Sequence, residues 1–317
     1  MKFLITRLGR MLLVIIAVTF LAFAALNFLG DPLFNILGPA IAEGTGEENA
    51  RLREEARAEF HLDDPFVVRY GLWLSDIAQG DFGRSFQNGT SVSTLVGQAM
   101  PITIQLMVLA QIIAIGVSIP WALATASRAY KPSDRVSTIV SFGMLGIPVF
   151  ALSVAMFWLF SVRLDIFPTR YSDDSFFDRI WSLTLPAVVL AVPLIAVYQR
   201  LLRTDLISTL QEDFIAMARA KGMSKWHILF RHALRPSLFS LITVFGIQTG
   251  ALIGGSLVVE TYFTLPGIGA AIVEAIIRDD FPVVLAVVVI ITVIFVVTNF
   301  FVDLLYSVLD PRVRSDG

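Results

Sequence analysis

Three consecutive stretches decide the fold: LTLPAVVLAVPLIAVYQRLL (Leu183–Leu202), DFIAMARAKGMSKWHILFRHALRP (Asp213–Pro236) and LFSLITVFGIQTGALIGGSLVV (Leu238–Val259). The outer two are apolar and, at about 1.5 Å per helical residue, each spans a hydrocarbon core of about 30 Å. The middle one carries Lys221, Lys225, Arg231 and Arg235 on stretches with helical periodicity, so it belongs in water. A chain built this way crosses a bilayer, folds a basic helical segment outside it, and crosses again.

The same grammar holds along the whole chain. Hydrophobic residues make up 56% of 317, mean hydropathy is +0.75 and only 16% of residues are charged, against about 25% in an average soluble domain. Six windows have almost no charge: Met11–Leu29, Ile102–Ala126, Val136–Val162, Leu183–Leu202, Leu238–Val259 and Val283–Leu305. Six transmembrane helices are expected, and strands are excluded because the runs lack the alternation of a membrane barrel. With the N-terminus in the cytoplasm, fifteen of the 24 basic residues fall in the cytoplasmic segments, while Glu43, Glu47, Glu48, Glu54, Glu55, Glu59, Asp63 and Asp64 gather in the first outer loop. The positive-inside rule then places both termini in the cytoplasm. Ala22-Phe23-Ala24 superficially fits a cleaved signal peptide, but the apolar run continues to Leu29, so retention of residues 1–24 is expected.

The outer loop Gly30–Met100 is too long for a simple connection. Glu47–Phe60 reads as a surface helix stopped by Asp63-Asp64-Pro65, and Phe66–Ile77 as an amphipathic helix whose Tyr70 and Trp73 suit the membrane interface. A turn-rich GDFGRSFQNGTSV leads to a short helix near Val92–Ala99. Pro120, Pro148, Pro186 and Pro193 lie inside spans and are expected to kink them. Gly246, Gly250 and Gly254, four apart, form a smooth face for close helix packing, either at a subunit interface, along a seam that shifts in transport, or within the chain.

Signatures of catalysis are missing. There is no cysteine, no phosphate-binding G-x-x-x-x-G-K-[ST] and no H-E-x-x-H. His227 and His232 stand five apart and do not share an α-helical face, so no metal site is expected. Gly267-Ile268-Gly269 follows a transmembrane run, which excludes a dinucleotide fingerprint. No catalytic residue, bound cofactor or nucleic-acid partner is expected.

Asp213–Pro236 itself reads as two short helices. Asp213 stands at the positive end of the first and Lys221 in its last turn, with Phe214, Met217, Ala218 and Lys221 along one side. Gly222 supplies the left-handed residue that ends it; Ser224 caps the second, and Pro236 bends the chain into the next span. A membrane-surface anchor fits the basic face and Trp226. A docking helix fits the small Ala216, Ala218, Ala220 and Gly222, which allow close seating in a protein groove. The residue pattern leaves both open.

DFIAMARAKG, followed by VVETYFTLPGIG and then FVDLLYSVLDPRVR, resembles the permease subunits of bacterial ABC importers of the dipeptide/oligopeptide class, as do GDFGRSF and MPITIQL. The likeness runs from residue 1 to about 314 and implies a type I importer architecture: an N-terminal span (1–30), an extracytoplasmic loop (31–93), a permease domain (94–307) and a cytoplasmic tail (308–317). The resemblance makes about 212–223 the coupling helix that seats in a separate ATPase, through Asp213, Ala218, Arg219, Ala220, Lys221 and Gly222. Ala216 and Met217 depart from the family pattern, where a charged or polar residue is usual, so van der Waals seating must carry more of the contact. Glu260, Phe263, Pro266, Gly267 and Gly269 match E-x-x-F-x-x-P-G-x-G on the extracytoplasmic side, where a substrate-binding protein docks, with Ile268, Ile272, Ala275 and Ile276 as an apolar face; Glu260 is either a pathway residue or a snorkelling acid. Implied partners are a second homologous permease, two ATPases that use ATP and magnesium, the binding protein, a peptide substrate and the bilayer. Nickel or another small solute is the alternative cargo, and an ion-coupled secondary transporter the alternative class. Gln105, Gln111, Gln199, Gln248, Thr249 and Asn299 are candidates to line the path, and Asp303 is expected to pair with Arg200 or Arg203.

Overall fold

The protein, seen in a computed structural model, is described over residues 2–29, 33, 37, 46–59 and 62–309. Among these it is helical, with one isolated antiparallel bridge, Arg84 to Ser91. The helices in order are α1 (Lys2–Leu29), α2 (Glu47–Glu59), α3 (Phe66–Ala78), α4 (Val92–Ala126), α5 (Pro132–Gly146), α6 (Val149–Arg163), α7 (Phe176–Thr209), α8 (Asp213–Ala220), α9 (Lys225–Tyr262), α10 (Ile268–Ile277) and α11 (Phe281–Leu309). Four of them, α4, α7, α9 and the Phe281–Phe301 part of α11, are long and apolar enough to cross a membrane. The α5–α6 pair makes a fifth candidate crossing, and α1 contributes a shorter apolar stretch, Gly9–Ala25.

The third expected span is therefore not a single rod. α5 and α6 meet at 98°, because Pro148 lacks an N–H and forces the residue before it out of the helical region. Ile147 is extended, with φ −86° and ψ 119°. By contrast α4 runs through Pro120 and α7 through Pro186 and Pro193 without a break, as membrane helices permit when local backbone adjustment compensates. The separate helix expected at Val92–Ala99 is the first part of α4, which continues through Pro101. Pro236 likewise does not separate a short helix from a span. It lies inside α9, just after a π-helical turn at Ile228–Ala233, whose wider i→i+5 winding gives the backbone slack where a proline would otherwise clash.

The chain divides into two compact units. The first combines Met1–Ile102 with Pro266–Val296. In it Phe20 and Phe23 of α1 meet Phe66, Tyr70 and Trp73 of α3 with ring centres 5.3 to 5.7 Å apart. The Tyr70 hydroxyl also lies 2.9 Å from Thr19 Oγ1, so the aromatic pair assigned to the membrane interface is an anchor for α1. The GDFGRSF stretch folds back through Gly80, Gly83 and Gly89, all at positive φ, and grips the turn between α10 and α11. Ser85 Oγ donates to Asp280 Oδ2, the Phe86 N–H donates to Asp280 Oδ1 at 3.0 Å, and Gln87 Nε2 donates to the Arg278 carbonyl at 2.8 Å. Asp280 and Ser85 are both buried, so this bracket works where water competes little.

The second unit, Thr103–Leu265 with Val297–Gly317, is organised around α7. Leu183, Val189, Leu190, Tyr198, Leu202 and Leu206 are buried along it. Gly255 of α9 allows the close approach: a Cβ there would stand 3.2 Å from Leu190 Cδ2.

Candidate functional site

The candidate site lies in the second unit, where α7 ends and α8 begins. α7 carries a polar row on a helical spacing, Tyr198, Gln199 and Arg203, and each member ties it to another helix. Tyr198 Oη donates to Gln111 Oε1 of α4 at 2.8 Å, and Gln111 Nε2 donates to Thr249 Oγ1 of α9 at 2.9 Å. Gln199 Nε2 donates to Thr125 Oγ1 of α4 at 3.1 Å and to Ser137 Oγ of α5 at 3.3 Å, while its Oε1 accepts from Ser141 Oγ at 2.8 Å. Gln111, Gln199 and Thr249, expected to line a path, are thus used as braces between helices.

One helical turn on, Arg203 forms a two-pronged ion pair with Asp134, Nε to Oδ1 and NH2 to Oδ2, each at 2.5 Å. The Asp134 side chain is 3% exposed. Asp134 also accepts the Tyr130 N–H at 2.8 Å, which holds the α4–α5 turn with Tyr130 at φ +65°. One buried carboxylate therefore fixes α5, its preceding turn and α7. Arg203 is thus engaged by Asp134; the pairing expected of Asp303 with Arg200 or Arg203 falls on a side chain outside the described residues. Arg200 stands over the Phe142 ring, 4.1 Å from its centre, a cation–π contact.

After Thr209 the chain turns into α8, whose first helical residue is Asp213, at the positive helix end, with Glu212 in the N-cap position without a side-chain capping bond. Ile215 and Ala218 face inward against Ile228 and Leu210. Ala218 is thus part of this chain's own packing and stands apart from Phe214 and Met217, which are exposed. The reason is the helical period: Ile215 and Ala218 are three apart and share a face, and both residues are small or apolar enough to bury. Ala216, Arg219, Ala220 and Lys221 are exposed, and the Arg219 guanidinium reaches the Leu210 carbonyl at 3.3 Å. A cavity of about 370 Å³ lies beside this helix, walled by Tyr130, Leu210, Glu212, Ala216 and Arg219 among others.

Gly222 ends α8 as expected, at φ +77°, and the Met223 N–H donates back to the Ala218 carbonyl at 3.3 Å. A Cβ at Gly222 would meet nothing within 4 Å, so the need for glycine is conformational and not a matter of space in this chain. Ser224 caps α9 by accepting the His227 N–H at 3.3 Å. The π turn that follows brings His227 and His232 side by side, their ring centres 5.6 Å apart. On an α-helix residues five apart diverge by about 140°, and that geometry underlay the expectation that these imidazoles point apart.

At the other end of α9, Glu260 is fully buried and so is not a snorkelling acid. Phe263 is buried against Phe157, ring centres 5.6 Å apart, and Thr264 turns the chain at φ +53°. Pro266 is exposed, whereas Gly267 and Gly269 are buried. In α10 Ile268, Ile272 and Ala275 are buried, but Ile276 is exposed and leaves the expected apolar face. The three-glycine face also turns. Gly246 is buried, Gly250 is half-buried and Gly254 is exposed with nothing within 4 Å of a built Cβ, because steps of four residues rotate about 40° each around an α-helix.

This arrangement of kinked and braced spans, with a short amphipathic helix between two of them, agrees with sequence comparison. Residues 116–315 match the family described as binding-protein-dependent transport system inner membrane component. The chain belongs to that family. It is 37% identical over 308 residues, 95% of each chain, to the oligopeptide transport system permease protein AppB of Bacillus subtilis. It is 30% identical over 332 residues, 97% of this chain and 98% of the relative, to the dipeptide transport system permease protein DppB of Alkalihalophilus pseudofirmus. This inner membrane component is accordingly a multi-pass permease, a transport part and not a catalyst. Its Asp134, Tyr130, Ser85 and Asp280 escaped the sequence reading. The available signal was a lone acid at the front of an apolar run, Asp134 in PSDRV, whose partner is 69 residues away.

Proposed function

We propose that this chain is the membrane permease subunit of an ATP-driven peptide importer, with α8 as the helix through which a separate ATPase moves it. The observation that carries the role of α8 is its two-sidedness: Ile215 and Ala218 hold it to its own chain while Phe214 and Met217, 40% and 61% exposed, project outward. Exposed apolar side chains on a water-facing helix fit a groove in a partner protein. Family membership and the names of the relatives support peptides as cargo. Six crossings, with α1 as the first and the broken α5–α6 pair as the third, and both termini in the cytoplasm, complete the proposed topology.

In this mechanism the chain performs no chemistry. ATP and magnesium belong to two ATPase subunits, and a second homologous permease forms the other half of the pore. The α10 end of the molecule receives an extracytoplasmic binding protein. The ATPase must hold α8 differently in its two states, because a contact of equal strength in both shifts no equilibrium. The cavity beside α8 leaves it space to tilt, and the Asp134–Arg203 pair passes the displacement from the end of α7 to α5.

The test is Gly222→Leu in the complete complex reconstituted in proteoliposomes. A left-handed backbone costs a residue with a Cβ roughly 1–2 kcal/mol, so α8 should be misplaced while the spans still insert. Expected is continued ATP hydrolysis with loss of labelled-peptide uptake; normal uptake would overturn the role of α8. Co-purification of two ATPases, a second permease and a binding protein carrying peptide supports the rest of the assignment, and a binding protein carrying a metal ion would remove the peptide assignment alone.

A further inference from the structure

The π turn at Ile228–Ala233 does more than accommodate Pro236. It places His227, at its leading edge, against His232, within it, with ring centres 5.6 Å apart and planes inclined at 53°. His227 is exposed and His232 half-buried, so the pair is open to solvent on one side and steadied on the other. Ser224 caps the helix by accepting the His227 backbone N–H, which leaves the His227 side chain free of the capping contact.

We propose that His227 and His232 form a two-imidazole binding site for a divalent transition-metal ion of the zinc, copper and nickel class. Neutral imidazole suits these ions, whereas magnesium and calcium take oxygen ligands. Zinc binds histidine nitrogen at about 2.0–2.1 Å, which brings two coordinating nitrogens within about 4 Å of each other. Rings whose centres are 5.6 Å apart reach that separation by rotation about χ2, a broad torsion for histidine. Among the described residues no third histidine or acid joins them in a cluster, so water fills the remaining coordination positions. The neighbouring Lys225, Arg231 and Arg235 oppose a cation and weaken its binding.

The site exists only while the helix is π-wound. Were the turn to relax to α, the histidines would diverge by about 140° and everything before it, α8 included, would rotate about 100° relative to the span. A bound ion therefore pins the rotational register between α8 and α9. This inference concerns the winding of α9 and stands whether the cargo is peptide or another solute.

The test is zinc binding to the detergent-solubilised complete complex, purified through a tag without histidine, by titration calorimetry with a competing chelator. Wild type is expected to show one zinc more per copy of this chain than His227→Gln or His232→Gln, with at least a tenfold loss of affinity at that site in either variant. Equal zinc stoichiometry in wild type and His227→Gln overturns the proposal.

Discussion

α7 and α8 are consecutive in the chain and held by opposite means. α7 is fastened to α4 and α5 by hydrogen bonds from Tyr198 and Gln199, and to α5 by the Arg203 ion pair. α8 is held chiefly by two inward side chains, Ile215 and Ala218, on Ile228 and Leu210. The contrast follows from the solvent. In hydrocarbon an apolar surface gains little by leaving lipid for protein, so directional polar contacts and close packing specify the partner. In water burial of a few apolar groups suffices to seat a helix, each contributing about 1.5–3 kcal/mol when full. In the proposed mechanism the braced helix keeps its geometry, and the lightly seated one follows the partner that grips its exposed face.

The largest effect is expected at the braced end. Asp134→Asn leaves the Arg203 guanidinium partly buried without its counter-charge, and loss of one partner of a buried pair costs about 3–5 kcal/mol. Thermal unfolding of the complex in detergent should show a marked loss of stability, and the reversed pair Asp134→Arg with Arg203→Asp should recover part of it. An unchanged midpoint would mean that the pair is open in the working protein. Gln199→Leu removes contacts to Thr125, Ser137 and Ser141; at about 0.6 to 1.7 kcal/mol for a hydrogen bond between membrane helices, a smaller but measurable drop is expected. Ile215→Ala should change unfolding least, because α8 stands outside the braced set, yet lower uptake per ATP hydrolysed by severalfold. A variant that destabilises the whole complex as strongly as Asp134→Asn would erase the distinction between the two helices. Topology is checked by labelling and not by stability: as the chain has no cysteine, Ser224→Cys should react with an impermeant thiol reagent only from the cytoplasmic side and Gly44→Cys only from outside.

Much of this was legible in one dimension. The apolar runs mark helices because each must satisfy its own backbone in lipid, and α4, α7, α9 and α11 each contain one of them. Gly222 and Ser224 announced the end of α8 and the start of α9, since left-handed backbone and N-caps are local requirements. Ala218, grouped by the sequence with Phe214 and Met217 on one side of α8, is buried while those two are exposed, because composition marks a small residue without saying which neighbour it will meet.

The sequence by itself determined the class of the protein and the rough position of the long apolar helices α4, α7, α9 and α11, which rest on local backbone and hydropathy rules. Only the tertiary structure decided that Asp134 partners Arg203, that Ser85 and Asp280 close a bracket across 195 residues, and that α5 and α6 break at Pro148 while Pro186 and Pro193 sit in a continuous helix. Those outcomes depend on which groups distant in sequence meet in space. The winding of α9 at His227 and His232 belongs with them: a π turn adds one residue to a helical circuit, and the pattern of side chains along the chain carries no mark of it.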